Sequence, residues 1–141
     1  MEKTLKDFLA FGKIYDEKSI KELNSLALAY VGDAVFELLV RTMVLKGNIP
    51  AHKLHTKSIK YVQAKGQKEL IEKVLQSLSE EELGVYNRGK NSKPHTVAKN
   101  QTLGDYMEAT GLEALFGYLY LLDRLDRLVE IFGEMINWRS K

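Results

Sequence analysis

Two carboxylic acids lie where their neighbours along the chain are apolar, and these two residues are the ones best suited to chemistry. Asp33 lies within LALAYVGDAVFELLV and Glu113 within GLEALFGYLYLL. An ionised carboxylate that is buried without a partner costs several kcal/mol, so we expect a compensating cation or hydrogen-bond network. Magnesium binds oxygen ligands and is usually held by one or two carboxylates together with waters and substrate phosphates. Two carboxylates that meet from different helices would therefore suit a magnesium site.

The same spacing also allows a purely structural interpretation of both acids. A carboxylate within an apolar helix can reach the edge of that helix, or it can pair with a cation such as Arg41 or Arg124. Nothing in the spacing shows that the two helices cross with their acids facing each other. The periodicity alone therefore leaves the function undecided.

The elements that must position these acids are predicted to be helices. Apolar residues recur at helical spacing, and the alternation typical of strands is nearly absent. We therefore expect an all-α helical bundle that forms one domain over residues 1–141. The predicted helices cover 5–9, a stretch that Ser19 caps with Glu22, a long run from Leu23 to Gly47, 51–64, 66–78, a helix that starts at Ser79, 101–122, and a last helix after Asp123.

Two of these segments stand out by their composition. The long helix from Leu23 is apolar on almost every face, and a helix of that kind normally lies in the middle of a domain. Residues 87–100 form the least regular stretch, and they are predicted to be a basic loop containing glycine and proline.

The overall composition excludes several classes of protein. The chain has 45% hydrophobic and 28% charged residues, which is typical of a stable globular domain. It contains no cysteine, so disulfide frameworks, thiolate zinc sites and cysteine nucleophiles are excluded. We find neither a signal-peptide core nor an apolar run of roughly the 18 residues that a membrane span requires. A cytoplasmic protein without a membrane partner is the expectation.

Two short segments resemble the ribonuclease III family. The run Ala-Tyr-Val-Gly-Asp-Ala-Val at 29–35 is similar to the family signature Glu-Phe-Leu-Gly-Asp-Ala-Val. The run Ala-Thr-Gly-Leu-Glu-Ala-Leu-Phe-Gly at 109–117 resembles the second catalytic segment, Ala-Asp-x-Phe-Glu-Ala-Leu-x-Gly. The resemblance spans roughly residues 20–135 and implies the ribonuclease III-like endonuclease fold. With no double-stranded-RNA-binding domain expected to follow, and with an Arg-Gly-x-Asn-x-Lys run at 88–93, the chain resembles the Mini-III ribonucleases.

The resemblance assigns roles position by position. It makes Asp33 and Glu113 the catalytic and metal-binding acids of a Mg²⁺ site. The family's signature glutamate falls on Ala29 and its second aspartate on Thr110, so two of the four familiar acids are retained. Glu37, one turn after Asp33, could contribute through water, but a solvent-facing role or a pair with Arg41 is favoured.

The resemblance also implies an activity and partners. It implies metal-assisted hydrolysis of double-stranded RNA that leaves 5′-phosphate and 3′-hydroxyl ends. It implies a homodimer in which Tyr30 packs into the partner subunit, although an ordinary core tyrosine is an equal alternative. Maturation of the large-subunit (23S) ribosomal RNA precursor is the implied role, with a ribosomal protein or pre-ribosomal particle as a further partner.

A domain without an auxiliary module must contact RNA itself, mainly through phosphates, 2′-hydroxyls and shape. The predicted RNA-binding residues are Arg88, Lys90, Asn91, Lys93 and Lys65. The helix over 51–64 offers a second basic face. Its two histidines, His52 and His55, are interpreted as surface residues, since no third ligand lies at a fitting offset.

Two other classes of function compete with an endoribonuclease. One is a catalytically silent ribonuclease III-like domain that only binds RNA or ribosomal particles, and such a domain would be expected to lose its metal carboxylates. The other is a helical dimerisation module, which would leave the basic stretch and both acids without a reason. The retention of Asp33 and Glu113 favours the enzyme.

Overall fold

The structure is a computed structural model that describes residue 7 and residues 16–92 and 102–138. Residues 16–92 and 102–138 form seven α-helices and one short 3₁₀ turn, and the described residues contain no strand. In chain order the elements are α1 (Glu17–Lys21), α2 (Ser25–Val44), α3 (Ala51–Val62), α4 (Ala64–Glu72), the 3₁₀ turn Leu75–Ser77, α5 (Glu80–Lys90), α6 (Leu103–Leu121) and α7 (Leu125–Met135). The predicted all-α fold is confirmed.

Helix α6 lies at the centre of the described bundle. It packs most extensively on α2, and next on α5 and α4. Every residue from Ala109 to Leu119 is buried except Glu113. This helix therefore occupies the central place that the sequence predicted for α2.

Helix α2 is buried on one face only, so its predicted place in the middle of the domain is wrong. Leu28, Val35 and Phe36 face the core. On the opposite face Tyr30 is 83% exposed and Leu38 66% exposed. The apolar residues of α2 therefore form a broad, exposed hydrophobic surface on the described part of the chain.

Helix boundaries follow local capping chemistry. Ser79 and Glu82 form a reciprocal capping box at the start of α5, which confirms the predicted start of that helix. The predicted cap at Ser19 is wrong, because Asp16 caps α1 and Asn24 caps α2 through side-chain oxygens. The predicted helix over 66–78 is in fact α4 followed by the 3₁₀ turn. The short helix predicted over 5–9 lies largely outside the described residues.

Helix α5 continues further than the sequence predicted. Asn87, Arg88, Gly89 and Lys90 were expected in an irregular loop, but they form its last turn. Gly89 presses this turn onto α6, since an added Cβ would lie 2.8 Å from the Ala114 Cβ and 3.2 Å from the Thr110 carbonyl oxygen. The glycine that suggested a loop is therefore required by helix packing.

Arg127 in α7 ties the last helix to the start of α5. Its Nε and Nη2 each donate to the Glu82 carboxylate at 2.8 Å, and Nη2 also donates to the Ser77 carbonyl. The guanidinium holds the pKa of Glu82 below its ordinary value, because the paired carboxylate is stabilised in its charged form. Among the described helices, none has both the length and the apolar character needed to cross a membrane.

Candidate metal and nuclease centre

Two glycines let α2 and α6 touch through their backbones. A Cβ atom added to Gly32 would lie 1.6 Å from the Glu113 carbonyl oxygen, and one added to Gly117 would lie 2.0 Å from the Leu28 carbonyl oxygen. No other residue type fits these two positions without separating the helices. The crossing point therefore lies directly beside Asp33 and one turn from Glu113.

A pair of buried phenylalanines fixes the rotation of the same two helices. Phe36 in α2 and Phe116 in α6 are fully buried, and their rings pack edge to face with centroids 5.6 Å apart. Each ring lies three residues after one of the two acids. The contact thus holds Asp33 and Glu113 on adjoining faces of their helices.

The structure places the Asp33 and Glu113 carboxyl groups close enough for each to act on the other. Burial raises the pKa of Glu113 to about 8, and the charge of Asp33 and a hydrogen bond with it add to this shift. Glu113 is half-buried, but Asp33 is exposed. The expectation that both acids are buried is therefore wrong for Asp33, because the α2 face that carries it is uncovered.

Gln67 is a site residue that the sequence reasoning missed. It lies in α4, is only 3% exposed, and its Nε2 donates to Glu113 Oε2 at 3.3 Å. This bond acts against the rise in the Glu113 pKa, because it favours the charged carboxylate. A signal was present, since Gln67 shares the helical face of Ala64, Leu70 and Ile71, which are all buried.

Glu37 does not join the acid pair. Its Oε1 accepts a hydrogen bond from Arg41 Nη2 at 2.8 Å, and the Arg41 side chain is exposed while that of Glu37 is half-buried. The favoured interpretation of Glu37 as the partner of Arg41 is confirmed. Because Glu37 is paired with Arg41, Asp33 is the acid of α2 that faces α6.

Three of the RNA-binding residues predicted for the loop lie instead at the end of α5. Arg88 and Lys90 lie in the last turn of α5, and Asn91 is the C-cap residue of that helix. Gly89 packs this turn of α5 against residues 110–114 of α6. The helix turn that carries the basic residues therefore lies beside the segment of α6 that contains Glu113. Lys65 is exposed near the start of α4, and Lys93 lies outside the described residues.

Comparison with known proteins identifies the family. A Ribonuclease III domain profile matches residues 26–124. The Mini-ribonuclease 3 of Clostridium tetani is 43% identical over 128 residues, which cover 89% of this chain and 85% of that protein. The Mini-ribonuclease 3 of a Thermoanaerobacter species is 41% identical over 132 residues, which cover 93% of each chain. The chain belongs to the Mini-III group of the ribonuclease III family.

The fold comparison agrees with this membership. The crystal structure of a Fusobacterium nucleatum protein superimposes with a TM-score of 0.76 at 33% identity, covering 84% of this chain and 95% of the other. Ribonuclease III proteins are endoribonucleases that act on double-stranded RNA and generally depend on a divalent metal ion. The resemblance seen in the sequence is therefore confirmed at the level of family and fold.

Two positions of this Mini-III chain depart from the usual ribonuclease III acids. Ala29 in α2 and Thr110 in α6 are both buried. The Thr110 hydroxyl donates to the Tyr106 carbonyl oxygen at 2.9 Å within its own helix. Neither residue offers a carboxylate, so the centre has Asp33 and Glu113 alone from the familiar set.

The chemistry of the pair fits a hard divalent cation. Two carboxylates supply the oxygen ligands that Mg²⁺ prefers, and their mutual repulsion would be relieved by a positive charge between them. Among the described residues, no cluster of three or more histidine, cysteine, aspartate or glutamate side chains is placed to hold a metal ion. A centre with two protein carboxylates leaves several coordination positions for water and phosphate oxygens.

Proposed function

We propose that this chain is a magnesium-dependent endoribonuclease that cleaves double-stranded RNA. The observation that carries the proposal is the meeting of Asp33 and Glu113 at the glycine crossing of α2 and α6. A pair of carboxylates kept close at the expense of a raised Glu113 pKa is poorly explained by stability alone. Strongly shifted acids of this kind are common at functional sites.

Asp33 and Glu113 are the residues that would hold Mg²⁺. When bound, the cation neutralises charge on the phosphate oxygens and makes water a better nucleophile at neutral pH. The exposure of Asp33 leaves the pair open to a phosphodiester approaching from solvent. In the reaction the water oxygen bonds to phosphorus and the P–O3′ bond breaks, which leaves a 5′-phosphate and a 3′-hydroxyl.

The basic residues at the end of α5 and on α3 and α4 would bind the RNA backbone. Arg88, Lys90 and Asn91 lie at the end of α5, where Gly89 packs against residues 110–114 of α6. A second set of lysines lies exposed on α3 and at the start of α4, namely Lys53, Lys57, Lys60 and Lys65. Contacts between lysine or arginine and phosphate give salt-dependent binding that is insensitive to sequence, as A-form RNA requires.

The working form of the enzyme is proposed to be a homodimer paired through α2. Tyr30, Leu26 and Leu38 form an exposed apolar surface on the face of α2 that also carries Asp33. A two-fold pairing on this surface would cover Tyr30 and bring two acid pairs to one interface, so that each could address one strand. In light scattering, Tyr30→Ser should shift the protein towards monomer, whereas Val129→Ser, an exposed apolar position on α7, should not.

The physiological substrate is proposed to be the precursor of large-subunit (23S) ribosomal RNA in the cytoplasm. A ribosomal protein or pre-ribosomal particle would then present the duplex, because a domain of this size offers limited RNA-binding surface of its own. Cleavage of a precursor transcript should yield mature ends more efficiently when such a particle is supplied than with naked RNA.

The decisive experiment is end-mapping of products from a long RNA duplex. Wild-type protein with Mg²⁺ should give 5′-phosphate ends, and both Asp33→Asn and Glu113→Gln should bind the duplex without cutting it. Glu37→Gln is the matched control, since it removes an α2 carboxylate that pairs with Arg41, and it should retain activity. Normal turnover by Asp33→Asn would refute the metal centre, and RNA binding without cleavage by the wild type would favour a silent binding domain.

A further inference from the structure

Four polar residues are buried in the described part of the chain: Ser58, Gln67, Glu82 and Thr110. Ser58 and Thr110 donate to carbonyl oxygens one turn earlier in their own helices. Glu82 is used by its capping box and by Arg127. Gln67 differs from these, because its bonded partner is a carboxylate of the proposed metal centre on another helix.

The position of Gln67 favours an apolar residue on packing grounds. Helix α4 turns this face towards α6, and the neighbours of Gln67 on the face are the buried residues Ala64, Leu70 and Ile71. A side-chain amide placed there loses water and must recover its hydrogen bonds inside the protein. A methionine of similar volume would fill the space without that requirement.

The contact of Gln67 with Glu113 restricts how the carboxylate can turn. Gln67 Nε2 lies 3.3 Å from Glu113 Oε2, and the Asp33 carboxyl group interacts with the same side chain from α2. Glu113 is thus held between α4 and α2 while its backbone belongs to α6. Partners that orient a ligating carboxylate commonly affect metal affinity by 10–100-fold.

We propose that Gln67 is a positioning residue that holds the Glu113 carboxylate in the orientation required to bind the divalent cation together with Asp33. The inference rests on the proposed function, because it assigns a role in the same centre. It differs from the mechanism above in that Gln67 itself need not touch the metal or the RNA.

The first test measures Mn²⁺ binding to RNA-free protein by electron paramagnetic resonance, which reports free Mn²⁺ without any turnover. Gln67→Met, which keeps the volume and removes the amide, should weaken Mn²⁺ binding by about tenfold or more. Gln76→Met, at an exposed glutamine of the 3₁₀ turn, is the matched control and should bind as the wild type does. Ser58→Ala controls for the loss of a buried polar group and should also leave Mn²⁺ binding unchanged.

A second variant keeps the inference testable if Gln67→Met fails to fold. Gln67→Glu places a third carboxylate beside Glu113, so the metal-free protein should melt at a lower temperature than the wild type. Added Mn²⁺ should then raise the melting temperature of Gln67→Glu by more than it raises that of the wild type. A residue that only fills space would lower the melting temperature without increasing the response to Mn²⁺.

The outcomes separate this inference from the proposed function. Mn²⁺ binding by Gln67→Met within twofold of the wild type, with a wild-type response of Gln67→Glu, would overturn the role of Gln67 and leave the Asp33–Glu113 centre intact. Equal Mn²⁺ binding by wild type and Asp33→Asn would overturn both. Weakened binding by Gln67→Met, with both controls unchanged, would establish the positioning role.

Discussion

Helices α2 and α6 are similar in length and in apolar content, yet their surroundings differ. Between Ala109 and Leu119 of α6, Glu113 alone is not buried, whereas α2 exposes Tyr30, Leu38 and Asp33 on one face. The two helices carry one acid each and meet at Gly32 and Gly117. The difference shows that an apolar run predicts a buried surface without saying whether the same chain or a second one buries it.

The largest expected effect comes from breaking the contact between the two helices. Gly117→Ala would place a Cβ 2.0 Å from the Leu28 carbonyl oxygen, so the backbones must separate. We expect a loss of about 4 kcal/mol or more in the free energy of unfolding, measured by chemical denaturation.

Gly104→Ala is the matched control in the same helix. A Cβ at Gly104 would meet no atom within 4 Å, and the residue lies exposed in the first turn of α6. Alanine there should stabilise the protein by about 0.5–1 kcal/mol, because it reduces the entropy of the unfolded chain. Similar losses for both substitutions would contradict the close crossing.

A matched pair of leucines tests the difference in burial directly. Leu119 in α6 is 0% exposed, and Leu119→Ala should cost about 2–5 kcal/mol of unfolding free energy. Leu38→Ala in α2 should change the stability of the monomer by less than about 0.5 kcal/mol at low protein concentration. A loss for Leu38→Ala that grows with protein concentration would measure the proposed pairing through α2.

The smallest effect is a pH dependence that originates where the two helices meet. The folded state raises the pKa of Glu113 from 4.5 to about 8, so between these values the folded protein retains a proton that the unfolded chain has lost. The melting temperature of chelator-treated protein should therefore fall by a few degrees as the pH rises from about 5 to about 8. Glu113→Gln should remove this slope.

Glu82 provides an internal contrast for the same titration. Arg127 lowers its pKa, so the stability it contributes is present at neutral pH and is lost only as the pH falls below the ordinary range of a glutamate. Glu82→Gln should change how the melting temperature falls in acid, and it should leave the dependence of the melting temperature on pH between about 5 and about 8 unchanged. A melting temperature that rises with pH across that interval would contradict the arrangement of Asp33 and Glu113.

The sequence predicted helix positions well where a local signal exists. The helix predicted to start at Ser79 agrees with α5, and the one predicted to start at residue 51 agrees with α3. The end of α5 was misjudged because Gly89 resembles a loop residue, whereas its lack of a side chain serves the packing on α6. Such a requirement is set by a distant segment and leaves no local trace.

The site was predictable as residues but not as geometry. Asp33 and Glu113 were found because each acid interrupts an apolar pattern, yet their meeting depends on the backbone contact at Gly32 and Gly117. Gln67 interrupts the apolar face of α4 in the same way. The sequence reasoning missed it because it considered charged residues within apolar patterns and not neutral amides. The exposure of Asp33 could not be foreseen, because it depends on which neighbour covers α2.

The glycine contact between α2 and α6 also determines how the centre responds to heat. Because no side chain separates the two backbones, the spacing of the backbones that carry the acids does not rely on rotamers that loosen before the chain unfolds. The amides around Gly32 and Gly117 should belong to the slowest-exchanging unit of the protein, which opens only with the whole fold. The acid pair would then persist up to the melting transition and disappear with it in one cooperative step.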